Sequence, residues 1–208
     1  MLTSLSVNEF LNETASSSPA PGGGSVSALA AALGAALTSM VCRLTIGKKK
    51  YAGVQAVLEG VLKQSEILRR KFESLIDEDT AAFEKVMAAY GLPKESEEQK
   101  LNRAAAIQEA TKTATIVPLN LMELCLEGID LVRIIAEQGN QNSISDAGVA
   151  ALMIQAAGEG AALNVKINLG SIQDSHFTNQ THARLEQVRT SLEALASQIL
   201  NRIAKQLR

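Results

Sequence analysis

Leu121-Met122-Glu123-Leu124-Cys125-Leu126-Glu127-Gly128-Ile129-Asp130-Leu131-Val132-Arg133-Ile134-Ile135 is the stretch on which the fold is decided. Projected on an α-helix, Leu121, Met122, Leu124, Cys125, Leu126, Ile129, Leu131, Val132, Ile134 and Ile135 fall nearly all round the axis. A surface helix keeps a polar face, so a helix without one belongs at the centre of a bundle or at a subunit interface. The run that contains it opens at Ser96-Glu97-Glu98-Gln99 and reaches Gln138, with Gly139 as its stop. Pro118 lies inside that run and is expected to kink or interrupt it, because proline has no N–H and crowds the preceding turn.

Working outward, every long segment carries helical signals. Residues 7–15 read as a short amphipathic helix. Ser25 is placed to cap an alanine-rich helix over 26–46, with Gly47 ending it. A long helix over 51–90 stops at Gly91-Leu92-Pro93, and two more cover 144–169 and 176–206. No stretch alternates as a strand does. The expected fold is all-α, a bundle of long helices forming a single domain over 1–208, dimeric through apolar helix faces.

Composition agrees. Of the 208 residues 31 are alanine and only six are aromatic, which argues against a sandwich or barrel. A hydrophobic share of 46% without period-three glycine excludes disordered and collagen-like chains. The net charge of −2 has no basic excess to recruit nucleic acid. The apolar run 26–42 is mostly alanine, contains Ser27, Gly34, Thr38 and Ser39, and closes at Arg43, so a buried helix is expected rather than a membrane span. The first residues lack the basic and apolar regions of a signal peptide. Cys42 and Cys125 read as buried small hydrophobes of a reducing compartment, so a cytoplasmic location is expected.

Four features carry candidate chemistry. On the 51–90 helix Val54, Val61, Leu68, Phe72, Ile76, Phe83, Val86 and Tyr90 form one stripe, and Asp79 falls near its middle, while Asp77 turns to the polar side. A core-facing carboxylate is unfavourable unless hydrogen-bonded, and burial raises its pKa as a general acid or base requires. Asp79 is then either a structural carboxylate satisfied by helix caps or a functional one. Gly22-Gly23-Gly24-Ser25 entering a helix would let backbone approach a ligand, or simply make a tight turn. Lys48-Lys49-Lys50-Tyr51 complements a helix C-terminus or holds a carboxylate-rich ligand. Asn140-Gln141-Asn142-Ser143-Ile144-Ser145-Asp146 offers amides for ligand edges, or a capping box between Ser143 and Asp146. His176 and His182 are the only histidines, and with the two cysteines they make no metal-ligand cluster.

Taken together, Pro19 to Ser25, Met40 to Tyr51, Asp79-Thr80-Ala81-Ala82-Phe83, Tyr90 to Lys94 and Gly139 to Val149 resemble the cyclodeaminase/cyclohydrolase family, in the same order and over nearly the whole chain. Ala20 departs from a common threonine. The resemblance implies an all-helical, homodimeric folate enzyme that needs no metal and no cofactor beyond its tetrahydrofolate substrate, with no nucleic-acid or membrane partner. Its wording over Cys42–Tyr51 and Tyr90–Lys94 is closer to cyclohydrolases, which open 5,10-methenyltetrahydrofolate to 10-formyltetrahydrofolate. Cyclodeamination of a formimino substrate is the alternative, and a non-catalytic folate-binding scaffold the lesser one. The match to the Asp-x-x-Ala-Phe motif favours Asp79 as catalytic, with Asp146 as a second carboxylate or orienting group. Tyr51, Asn140, Asn142 and Ser143 are expected at the substrate, Lys48, Lys49 and Lys50 at the glutamate tail, and Gly22, Gly23, Gly24 and Ser25 against the ligand.

Overall fold

The computed structural model describes residues 1–207. Six α-helices account for the architecture: α1 Val7–Thr14, α2 Gly23–Arg43, α3 Gln55–Tyr90, α4 Glu97–Gln138, α5 Ile144–Leu169 and α6 Ser175–Gln206. Short 3-10 turns lie at Leu2–Ser4, Lys49–Val54 and Gln141–Ser143, and no strand occurs among the described residues. The all-α reading therefore holds.

The all-round apolar segment of α4 is the hub. Leu121, Met122, Cys125, Ile129, Val132 and Ile135 are all buried, and α4 packs against α3, α2, α5 and α6. Around it the other helices neighbour one another in the order α3, α2, α5, α6. α2 is long and apolar enough to span a membrane by length and composition, yet most of it is buried against α5 and α3. Its small residues permit that. A Cβ on Gly34 would sit 2.8 Å from Ile154 Cγ1 of α5, a distance that only glycine allows here.

Several helix ends differ from the sequence reading. Ser25 does not cap α2: the helix starts at Gly23 with Gly22 as its cap residue, and Ser25 lies in its first turn. The Ser25 N–H of that first turn instead meets a carboxylate from another helix, which supplies the cap in place of a local side chain. The helix closes at Arg43, and Gly47 (φ 81°) ends the turn that follows. Tyr51 has non-helical backbone angles inside the 3-10 turn, which delays α3 to Gln55. The Ser143–Asp146 capping box does not form, since Ser143 makes no side-chain cap bond. Ser96 and Gln99, by contrast, make a reciprocal capping box at the start of α4.

Pro118 neither ends nor interrupts α4, which continues from Glu97 to Gln138. Proline leaves the carbonyl four residues earlier without its helical donor. Here that carbonyl is Ala114's, and the Asn168 side-chain amide of α5 donates to it at 3.0 Å. A donor supplied from a neighbouring helix satisfies what proline withholds. Cys42 and Cys125 are buried free thiols, as expected. Burial pushes the Cys42 thiol up to about 11 and that of Cys125 higher still.

Candidate active site

Asp79 reaches from α3 to the first turn of α2. Its Oδ2 accepts from the Ser25 backbone N–H at 2.9 Å and from the Ser25 hydroxyl at 3.0 Å. The same hydroxyl lies 2.9 Å from the Ile76 carbonyl and 3.2 Å from Thr80 Oγ1. Asp79 is thus a cap for α2 delivered across the bundle, where an anion is favoured at a helix N-terminus. Its Oδ1 has no hydrogen-bond partner among the described residues and faces Gly24, where an added Cβ would lie 2.0 Å from it. Glycine at 24 is therefore a spatial requirement. Burial raises the Asp79 pKa above its ordinary range, opposed by the two hydrogen bonds from Ser25. The structural and functional readings of Asp79 are consequently not exclusive: one oxygen caps a helix and the other is unspent.

That second oxygen borders a cavity of about 400 Å³, a size common for small-molecule sites. Gly22, Gly23, Gly24 and Asp79 form one side; Phe83, Val86 and Tyr90 continue down α3; Thr111 and Ala114 come from α4, and Asn164 and Asn168 from α5. The α3 stripe explains the shape. From Val61 to Ile76 its residues are buried in the core, whereas Phe83 and Val86 are half-buried and Tyr90 exposed, because beyond Asp79 the stripe lines open space. Asp77, two residues away, serves elsewhere, accepting from Leu2 N at 2.6 Å and Thr3 Oγ1 at 3.1 Å.

The remaining sequence candidates gather at the opposite end of α2. That helix of 21 residues separates the two ends by roughly 30 Å. Asn140 is buried there: its N–H donates to Thr45 Oγ1 at 2.9 Å and its side-chain amide to the Leu44 carbonyl at 3.2 Å. The Tyr51 hydroxyl accepts from Gln141 N at 3.0 Å and lies 3.5 Å from Asn140 Oδ1. Asn140 Oδ1 also accepts from Asn142 N. Ser143 is buried and Asp146 half-buried in the first turn of α5, while Lys48, Lys49 and Lys50 are exposed. Within one protomer, Asp146, Asn140, Asn142, Ser143 and the Lys48–Tyr51 run do not join the Asp79 cavity. Sequence spacing cannot reveal this, because both groups flank the same helix.

Asn164 and Asn168 escaped the sequence reading, although two asparagines one turn apart on an otherwise apolar helix are a legible signal. Among the described residues no group of three or more His, Cys, Asp or Glu side chains is arranged to hold a metal ion.

A half-buried carboxylate held over a triple-glycine helix start, beside an amide-lined cavity in an all-helical bundle, defines a class. The chain belongs to the formiminotransferase-cyclodeaminase family, whose profile matches residues 6–187. It is 51% identical over 193 residues to the methenyltetrahydrofolate cyclohydrolase of Methylorubrum extorquens, covering 93% of each chain. It is 35% identical over 199 residues to the formimidoyltransferase-cyclodeaminase of Mus musculus, covering 96% of this chain and 37% of that protein. The crystal structure of formiminotetrahydrofolate cyclodeaminase from Thermotoga maritima matches with a TM-score of 0.90 and 31% identity over the full length of both chains.

Proposed function

We propose that this chain hydrolyses 5,10-methenyltetrahydrofolate to 10-formyltetrahydrofolate on one helical domain, with Asp79 as general base and no metal or cofactor. Similarity to the Methylorubrum cyclohydrolase along 93% of both chains supports the reaction. The observation that carries the role of Asp79 is its unpartnered Oδ1 at the cavity wall, with a pKa raised by burial. The substrate is an amidinium cation spread over N5, the bridging carbon and N10. Water adds to that carbon as Asp79 takes one of its protons. The C–N5 bond then breaks, the protonated Asp79 returns its proton to N5, and the hydroxyl proton leaves as the formyl C=O forms. One water is consumed and one proton released overall. An anionic Asp79 also stabilises the cationic substrate.

Loss of the methenyl chromophore with purified protein, measured against the spontaneous rate, tests this directly. A rate no faster than the spontaneous one rules the cyclohydrolase reading out. Cyclodeamination is the second reading, favoured by the full-length likeness to the Thermotoga enzyme. Ammonia release from 5-formiminotetrahydrofolate at a kcat/KM above that for methenyl hydrolysis would establish it instead.

A homodimer through α2 and α5 completes the proposal. α2 carries no charge from Gly23 to Cys42, and beyond Asp146 in the first turn of α5 the charges of that helix, Glu159 and Lys166, are spent on Arg189 and Glu186 of α6. Helical phase sets Val26 and Leu33 of α2 beside Val149, Leu152, Leu163 and Ile167 of α5 along one outer face. All six are exposed, Leu163 at 69% and Ile167 at 75%. An apolar face as long as the helices is an interface signature. Antiparallel pairing about its centre would lay the partner's Lys48, Lys49, Lys50 and Tyr51 towards the Asp79 cavity, giving the substrate's glutamate tail its cations. Leu33→Glu with Leu163→Glu is expected to convert a species of twice 22.0 kDa into monomer and to remove activity. A wild-type monomer would end this part of the reading.

A further inference from the structure

Asn164 and Asn168 face the cavity with their amide groups already oriented. The Asn164 side-chain N–H donates to the Gly160 carbonyl at 2.9 Å and that of Asn168 to the Ala114 carbonyl at 3.0 Å. A carbonyl oxygen can only accept, so the nitrogen of each amide must point to it. Neither Oδ1 has a hydrogen-bond partner among the described residues. The side chains fixed in the cavity wall therefore leave acceptors unspent: Asn164 Oδ1, Asn168 Oδ1 and Asp79 Oδ1. Asn164 also lies against Gly23, where an added Cβ would meet its Nδ2 in ordinary contact at 3.4 Å.

We propose that Asn164 and Asn168 read the N–H edge of the reduced pterin ring, and that Pro118 is the positioning residue that holds Asn168 in its acceptor orientation. This inference rests on the folate reading above and adds its specificity residues. A tetrahydropterin presents donors at N8–H, N3–H and the 2-amino group, which complement unspent acceptors in the cavity wall. Pro118 is what frees the Ala114 carbonyl. With any other residue at 118 that carbonyl would receive a helical N–H, and the Asn168 amide would lose its exclusive partner. The same proline is buried in a helix that stays continuous, so its effect is local to this hydrogen bond.

Steady-state hydrolysis of the methenyl substrate by Pro118→Ala, Asn168→Leu and the double variant tests this. Pro118→Ala adds a helical donor and removes a poor helix former, so it is expected to fold with unchanged or raised Tm. Each single variant is expected to raise KM about tenfold, the loss of about one hydrogen bond, with kcat within about twofold. The double variant is expected to raise KM no further than Asn168→Leu alone, since both act on one contact. A free tetrahydropterin should inhibit wild type and lose about tenfold in Ki against Asn168→Leu. A p-aminobenzoylglutamate fragment should inhibit both equally. An unchanged KM in Pro118→Ala, KM effects that multiply in the double variant, or an unchanged Ki for the pterin overturns the inference while wild-type turnover leaves the cyclohydrolase reading standing. A wild type without turnover defeats the cyclohydrolase reading on its own. Equilibrium binding of the free tetrahydropterin to wild type and to Asn168→Leu then still decides the inference: equal affinity overturns it, and an about tenfold loss in the variant supports it.

Discussion

At its N-terminal end α2 meets a carboxylate of α3 beside an open cavity, and at its C-terminal end it meets a turn whose polar groups bond one another. Both ends are rich in glycine, amide and hydroxyl groups. At the first, Asp79 Oδ1 and two asparagine oxygens are left without partners and a pKa is raised by burial. At the second, Asn140 uses its N–H, its amide nitrogen and its Oδ1, and Tyr51 ties the turn to the Lys48–Lys50 loop. The two ends, made of the same residue types, differ in how far their polar groups are already satisfied. Buried polar groups are ordinarily paired within the protein, so those left over at the first end are free to meet a ligand.

The sharpest way to break the contrast is Asp79→Asn, which keeps an acceptor for Ser25 but loses the base. Hydrolysis is expected to fall by roughly 10²- to 10⁴-fold. Because the folded pKa of Asp79 is raised, its stabilising contribution is complete below the unfolded pKa and is lost as pH rises through the folded value. At neutral pH the variant should therefore be no less stable than wild type, by thermal melting. In wild type kcat/KM should fall on the acid side with an apparent pKa above the ordinary 3.8, and the variant should lack that limb. A variant with normal turnover would return Asp79 to a purely capping role.

Gly24→Ala tests the same end sterically. With a Cβ 2.0 Å from Oδ1 the carboxylate must move, and a loss of about 10²-fold in kcat with about 1–3 kcal/mol of destabilisation is expected. Replacing Lys48, Lys49 and Lys50 together by alanine should raise KM about tenfold with little change in Tm, because these side chains are exposed. Unchanged KM would confine the C-terminal end of α2 to a structural part. The smallest effect is expected of Tyr51→Phe, which removes the acceptor for Gln141 N: about 1 kcal/mol in denaturant unfolding, with kcat retained.

The sequence pattern made much of this legible. The all-round apolar run 121–135 identifies the hub, and the Gly91-Leu92-Pro93 and Gly139 breaks mark where helices stop. Asp79 is visible because a carboxylate on an apolar stripe contradicts the pattern around it. Pro118 and Ser25 mislead for a common reason: each has its local rule overridden by a partner from another helix, Asn168 in one case and Asp79 in the other. Such partners lie dozens of residues away and leave no trace in local spacing.

By itself, then, the sequence determined the helices, the hub, the family resemblance and the one conspicuous acid, because periodicity and breakers act over a few residues. Only the tertiary structure decided which candidates share a cavity. Packing antiparallel helices brings residues 22–24, 79, 164 and 168 to one end and residues 48–51 and 140–146 to the other. That sorting depends on where each helix starts and how they register against one another, which is set by the packing of small residues such as Gly24 and Gly34 and not by their order in the chain.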